Sequence, residues 1–227
     1  MKRVLLILTF LFAYLNVALP GIDIDTVKFK KETKEYTVEL YYPKIRNAGT
    51  ESARGFNKLI QNFVEDKKTE FLKDAKAIDY DPSLPYEFFV NYDVKYTSND
   101  FVSVILYTYY FTGGAHGSTI AYTFNYDLKN NKNLKLSDLF EGKYLNVISE
   151  YCIKEILKEG DYADESWVKE GAAPKPENYE AFTLSNKELI IHFQQYQVLP
   201  YAAGMPEVVV PKSVLNDYIK KDGILNR

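Results

Sequence analysis

Residues 88–126, FFVNYDVKYTSNDFVSVILYTYYFTGGAHGSTIAYTFNY, decide the fold. Phe88, Val90, Tyr92, Val94 and Tyr96 alternate with Phe89, Asn91, Asp93 and Lys95, the period-two pattern of a strand with one wetted face. Ser98-Asn99-Asp100 reads as a turn, and Phe101 to Phe111, apolar on both faces, as a central strand. Beyond Gly113-Gly114-Ala115-His116-Gly117, the next strand places Ile120, Tyr122, Phe124 and Tyr126 on one side. Thr119, Ala121, Thr123 and Asn125 take the other. Connections this short predict an antiparallel meander.

Upstream, Thr26–Lys31 and Glu35–Tyr42 alternate as an opening hairpin. Ser52 to Lys76 carries Phe56, Leu59, Ile60, Phe63, Val64 and Phe71, an amphipathic helix with Ser52 as its cap. Asp81-Pro82-Ser83 and Pro85 end that unit. Downstream of the polar loop 129–133, Ser137 caps a short turn ending at Gly142, and Tyr144 to Glu159 is a full helix. Gly160 to Asn178 reads as an acidic, proline-bearing loop around the single tryptophan, Trp167. Strands follow at Ala181–Leu184, Glu188–Gln195 and Glu207–Val210, then a last helix from Pro211 to about Lys221. The fold class is α+β: antiparallel sheets with packed helices, two fused α+β halves in the order ββ-α-βββ-α-βββ-α. Twenty tyrosines and 14 phenylalanines agree with a sheet-rich body. The expected divisions are a signal peptide at 1–18, a first half at 22–128 and a second at 129–227.

Lys2 and Arg3 precede an apolar run from Val4 to Leu15, which is too short for a comfortable membrane span of roughly 20 residues and suits a signal-peptide core. Ala18 is the best cleavage position, so the chain is expected outside the cytoplasm, secreted or held by that segment if it is uncleaved. The lone Cys152 cannot form an internal disulfide, so the exported body is stabilised by its core. With Leu145, Ile148 and Ile156 it forms one helical stripe, the setting of a buried, inert thiol. Lys plus Arg is 28 against 31 Asp plus Glu, a net charge of −3, which lacks the electrostatic footprint of a nucleic-acid binder.

Catalytic signals are sparse. The two histidines, His116 and His192, show no metal-ligand spacing, and His192 reads as part of the polar face of its strand. No G-x-S-x-G elbow or phosphate-cradling loop occurs, and Ser118 beside His116 does not define a nucleophile–base pair. Acid pairs such as Asp79 with Asp81 arise readily among 31 acids. No catalytic residue, metal site or cofactor is therefore expected, and the chain is read as non-enzymatic.

Two loops stand out. In Phe111–Gly117 the glycines either make a wide turn held by His116, or offer amides and a titratable ring to a ligand. In Leu199–Pro206 small residues between prolines either let two backbones approach or shape a cleft. Trp167 is either an exposed anchor or a satellite of the core, while Tyr107, Tyr109, Tyr122 and Tyr126 read as core. The candidate ligand-binding set is Tyr110, Gly113, Gly114, His116, Trp167, Tyr201 and Gly204.

Tyr110-Phe111-Thr112-Gly113-Gly114-Ala115-His116-Gly117 resembles the Y-x-x-G-G-A-H loop of a family of exported bacterial domains of largely unknown function. Pro200-Tyr201-Ala202-Ala203-Gly204 through Val208–Pro211 resembles its second hallmark, Y-A-A-G followed by a strand and a proline. The family is typified by the lysozyme-binding extracellular part of the anti-sigma factor RsiV and the amino-terminal region of the peptidoglycan deacetylase PdaC. The resemblance covers roughly residues 25 to 220. It implies an α+β fold and an extracytoplasmic, non-enzymatic role at the cell envelope; sigma-factor signalling and deacetylase activity are not carried over. The expectation is a binding module for an envelope glycan or a lysozyme-like protein, with no nucleic-acid partner. Its alternatives are a polysaccharide hydrolase using a carboxylate pair and a lysozyme-binding inhibitor or sensor.

Overall fold

The computed structural model describes residues 22–77, 85–158, 163–185 and 188–226. The proposed leader and the Asp79–Asp81 pair lie outside the described residues. Strands β1 (Ile24–Glu32) and β2 (Tyr36–Ile45) form the expected hairpin, in register from Ile24 opposite Ile45 to Glu32 opposite Thr37. Strands β3 (Tyr86–Thr97), β4 (Phe101–Phe111) and β5 (Ser118–Asp127) form the meander. The first departure is the join between these units. Helix α1 (Glu51–Ala77) is a crossover, so β2 and β3 pair parallel and not antiparallel. The length of α1 permits this, since a parallel return needs a dozen or more residues.

The cap of helix α1 lies two residues before the expected Ser52: the Thr50 hydroxyl accepts from the Ala53 amide at 3.1 Å. Phe56, Ile60, Val64 and Phe71 are buried against Val38, Leu40, Phe88, Val90, Val104 and Leu106 of the sheet. Each such side chain contributes roughly 1.5–3 kcal/mol by leaving water.

Strand β6 (Lys132–Asn133) adds briefly to β5, completing a six-stranded sheet ordered β1 through β6. The turn at α2 (Leu136–Leu139) is capped at Lys135, so Ser137 lies inside it and is not its cap, and helix α3 (Tyr144–Ile156) starts where expected and ends three residues short of Glu159. The acidic loop, however, contains a helix, α4 (Glu165–Gly171), capped by the Asp164 carboxylate accepting from the Trp167 amide. The last helix is shorter than its periodicity suggested. Only Lys212–Leu215 is α-helical (α5), a 3₁₀ turn follows at Asn216–Tyr218, and Ile219 is already extended where it bridges Phe140.

Strands β7 (Phe182–Leu184), β8 (Glu188–His192) and β9 (Glu207–Pro211) form a second, antiparallel sheet. One face packs on α3 through Phe182, Leu184, Ile191, Val208 and Val210. That core also buries Cys152, whose thiol burial pushes up to about 12, in keeping with an inert residue. The other face lies on the large sheet, so the layers run α1, large sheet, small sheet, α3.

The seam between the sheets is polar. Ser103 donates to Asn125 Oδ1 at 2.7 Å, Asn125 donates to the Phe182 carbonyl at 2.7 Å, and the Leu184 amide donates to Ser103 at 2.9 Å. His192 sits in this seam, 3% exposed, and not on a wetted strand face. Its Nδ1 donates to Glu207 Oε1 at 3.0 Å, and its Nε2 lies 2.7 Å from the Thr183 hydroxyl. His192 does lie on the polar face of β8, as read, but that face is an interface because the large sheet covers it. Lys95, set out of register by a β-bulge between Val94 and Tyr96, reaches Glu207 at 3.5 Å.

Candidate functional site

The β4–β5 loop and the β8–β9 loop meet at the same end of the seam. Gly113 and Gly114 adopt φ of 97° and 98°, open backbone that suits glycine in the turn. Gly117 is required for a different reason: a Cβ there would lie 2.4 Å from the Tyr109 ring. That close approach lets the chain lie flat under Tyr109. The Gly117 carbonyl accepts from the Tyr201 hydroxyl at 3.4 Å and lies 2.9 Å from His116 Nδ1.

From this junction the rings continue outward. His116 stacks on Tyr201 with centroids 4.2 Å apart and planes at 28°, and Tyr201 lies 5.7 Å from Tyr196. The indole of Trp167 donates to the Tyr196 carbonyl at 3.1 Å. Trp167 is therefore a half-buried helix residue joined to this ledge. Tyr196 is 51% exposed and holds a φ of 63°, a left-handed backbone that a bulky side chain rarely adopts. Both loops are buttressed. Gln194 Oε1 accepts from the Ala121 amide at 2.9 Å and Nε2 donates to the Ala121 carbonyl at 2.8 Å, while Gln195 accepts from the Thr119 amide at 3.0 Å. Gly171, at the end of α4, packs so tightly that a Cβ would fall 1.8 Å from the Gln197 carbonyl oxygen.

The structure thus brings His116, Tyr201 and Trp167 together, with Gly113 and Gly114 in the adjoining turn. It separates Tyr110, which points to the α1 side of the sheet. There Tyr110 lines a pocket of about 220 Å³ with Thr112, Tyr122, Lys67 and Asp74. Gly204 shapes the second loop through its φ of 74° and nothing approaches its Cβ position. The close backbone approach expected in that region occurs at Gly171. Tyr196 was missed, because nothing in Gln194-Gln195-Tyr196-Gln197 signals a left-handed turn; the run of long amides directly after a strand is the trace it left. Tyr109 was read as core yet remains half-exposed. Burial, with Glu87 and Tyr201 beside it, holds its phenol above the ordinary value.

A cleft of about 550 Å³ lies on the far side of the second loop, between Glu155, Lys158, Pro206, Glu207 and Val209. Glu207 joins it to the seam. His192 donates to its carboxylate and Lys95 lies beside it, which lowers the carboxyl to about 2. Thr183, His192 and Glu207 have the order hydroxyl, imidazole, carboxylate, but Thr183 is fully buried and only the carboxylate is exposed to solvent. Among the described residues no cluster of His, Cys, Asp and Glu has the makings of a metal site, and no helix is long and apolar enough to cross a membrane.

Residues 29–119 match the family described as Deacetylase PdaC, and residues 137–213 match that described as Protein of unknown function (DUF3298). The chain is 30% identical over 208 residues to the peptidoglycan-N-acetylmuramic acid deacetylase PdaC of Bacillus subtilis, covering 90% of this chain and 43% of that protein. It thus spans less than half of that relative. It is 25% identical to the immunogenic protein MPT64 of Mycobacterium tuberculosis, covering 71% of this chain and 72% of that protein. An esterase of the same organism is 29% identical over 115 residues, half of each chain. The crystal structure of a DUF3298 member from Bacteroides fragilis superposes with a TM-score of 0.68 at 16% identity, over 91% of this chain and 97% of that one. The fold is therefore shared, and the matches bear out the family resemblance carried by the two loop motifs.

Proposed function

We propose, for a chain whose first part matches the PdaC family and whose second part matches DUF3298, an extracytoplasmic binding module of the cell envelope that recognises an envelope glycan. One observation carries this reading: the two hallmark loops come from opposite halves of the chain, yet they meet in one half-exposed aromatic ledge of His116, Tyr201, Tyr196 and Trp167. Flat rings with polar tips suit the alternating apolar faces and hydroxyl edges of sugars, and rigid aromatic side chains give contact area at low entropy cost. The strained Tyr196 backbone supports the reading, since such strain concentrates at functional sites. The envelope context comes from the likeness to a peptidoglycan deacetylase, whose activity is not transferred to this chain.

Retention on purified peptidoglycan sacculi tests the proposal. The intact protein is expected to sediment with sacculi, and Tyr201→Ala and Trp167→Ala to lose about tenfold in affinity, typical of aromatic anchors. Failure to bind sacculi, together with saturable calorimetric binding to lysozyme, would replace the glycan by a protein partner.

A hydrolase is the second reading, favoured by the Thr183–His192–Glu207 order and the likeness to an esterase. It requires Thr183 to become accessible, because a nucleophile must reach its substrate. Turnover of a p-nitrophenyl ester that disappears in Thr183→Ala would establish it. No turnover leaves these residues as the link between the sheets.

A further inference from the structure

Where strand β2 turns into helix α1, four cationic side chains line one open cleft of about 500 Å³. Lys44, near the end of β2, and Arg46, just beyond it, are exposed while Ile45 between them is buried, so the two project on the same side. Arg54 and Lys58 are four apart on α1 and therefore neighbours on one helix face, with Gln61 on the next turn. Asn57 fixes the two elements to each other. Its Oδ1 accepts from the Ile45 amide at 2.7 Å and its Nδ2 donates to the Ile45 carbonyl at 3.1 Å. Strand cations and helix cations are thus held around one space by a contact that uses none of them.

Among the described residues, Asp25 is the one acid that lines this cleft. It accepts from Arg46 Nε at 2.9 Å and Nη2 at 2.6 Å, and Asp23 lies 3.6 Å from Nη1, so Arg46 is neutralised. Lys44 sits opposite Asp25 across the β1–β2 ladder, but that carboxylate is already committed to Arg46. Arg54 is held by neutral groups: its Nη1 donates to the carbonyls of Ala48 at 3.3 Å and Gly49 at 2.8 Å, which leaves its charge unbalanced. Lys44 and Lys58 form no ion pair among the described residues. Three cations therefore share the cleft without an acid to balance them, in a chain whose net charge is −3. Like charges four apart on a helix, or facing one another across a cleft, cost stability, so this arrangement does not serve the fold.

We propose that this cleft binds a phosphate-bearing chain through Lys44, Arg54 and Lys58, with the phosphates supplying the missing counter-charge. The site is separate from the aromatic ledge. It is built by β1, β2 and α1, whereas the ledge comes from α4 and the loops that follow β4 and β8, so neither reading depends on the other. Donors reach the cleft from a strand on one side and a helix on the other, which suits the tetrahedral array of phosphate oxygens better than the single plane of a carboxylate. A concave site admits one chain and holds off a flat bilayer. The overall acidity of the protein argues against the extended basic face that a nucleic acid requires.

The test is calorimetric titration of the full chain with short-chain inorganic polyphosphate, where binding is expected to weaken as salt rises. Lys44→Gln combined with Lys58→Gln should lower the affinity at least about tenfold. Lys73→Gln combined with Lys76→Gln removes the same charge from exposed positions about 20 Å further along α1, and should leave the affinity within about twofold. Without polyphosphate, the Lys44 and Lys58 double variant should melt no lower than the parent, because it relieves like-charge repulsion. Absence of binding, or an equal loss in both double variants, overturns the site. Affinity that survives Lys44→Gln with Lys58→Gln overturns it as well, and a lower melting temperature alongside would make these cations structural. Binding to phosphatidylglycerol vesicles but not to polyphosphate replaces the chain by a membrane surface, and polyglutamate bound as tightly as polyphosphate removes the preference for phosphate. None of these outcomes bears on retention by sacculi, which the ledge residues decide.

Discussion

The two halves of the chain are held together in two places by opposite kinds of surface. In the seam, Ser103, Asn125, Thr183 and His192 are fully or almost fully buried and each has its hydrogen-bond partners. At the ledge, His116, Tyr201, Tyr196 and Trp167 also bridge the halves, yet they keep contact with solvent and one of them holds a strained backbone. Buried polar contacts fix geometry because any misalignment leaves a desolvated group unpaired. Exposed rings tolerate misalignment and remain free to contact another molecule. The difference teaches that the seam sets the relative position of the loops while the ledge stays open to solvent.

That division can be broken from either side. Gly171→Ala should have the largest effect, because its Cβ would fall 1.8 Å from a backbone oxygen of the segment bearing Tyr196. Overpacking of this kind is expected to cost about 3 kcal/mol in urea unfolding and to disturb the ledge at the same time. Asn125→Ala should cost about 2 kcal/mol, since it takes away the acceptor of the Ser103 hydroxyl and the side-chain donor to the Phe182 carbonyl in a dry interface. If its loss were negligible, the seam would not be the element that orders the halves.

The Glu207 carboxyl is lowered from the ordinary 4.5 to about 2, chiefly by the His192 hydrogen bond. Because the folded value lies below the unfolded one, its contribution is complete above about pH 4.5 and is lost as the pH falls toward 2. The side chain is 40% exposed and solvent screens it, so the part of the acid destabilisation removed in Glu207→Gln should be at most ~1 kcal/mol. Equilibrium unfolding at a series of acidic pH values measures it. The smallest change in stability should come from Tyr201→Ala, under ~1 kcal/mol as for surface substitutions. Stability and sacculus affinity falling together in that variant would return the ledge to a purely structural role.

Much of this was legible in the chain itself. The alternation in residues 88–126 located the meander and sorted the β5 residues onto two faces, because strand periodicity needs only local pattern; which face meets α1 is a tertiary fact. The motif loops were recognised as two hallmarks of one family; that they meet, with His116 stacked on Tyr201, was not legible in the sequence. What failed was set by tertiary structure. His192 read as part of a polar strand face, but its burial could not be read because only a second sheet supplies it. Helix α4 was hidden in a proline-bearing acidic stretch, where Asp164 supplies its cap and the indole of Trp167 reaches Tyr196. Tyr110 shares a motif with His116 but, as the strand neighbour of Tyr109 on β4, falls on the α1 side of the sheet. Tyr196 owes its place to a backbone conformation that its residue type disfavours.

The outer rim of β5 has a consequence for inheritance. Only Tyr126 and Asp127 pair there with β6, while Ala121 and Thr119 are completed by the amide side chains of Gln194 and Gln195, some seventy residues further along the chain. Side chains standing in for a missing strand make the first half sticky when it is alone, as unpaired strand edges recruit other chains. Duplicating or trading the first half between genes without its counterpart would therefore yield a self-associating fragment, which ties it to the second half as a heritable unit.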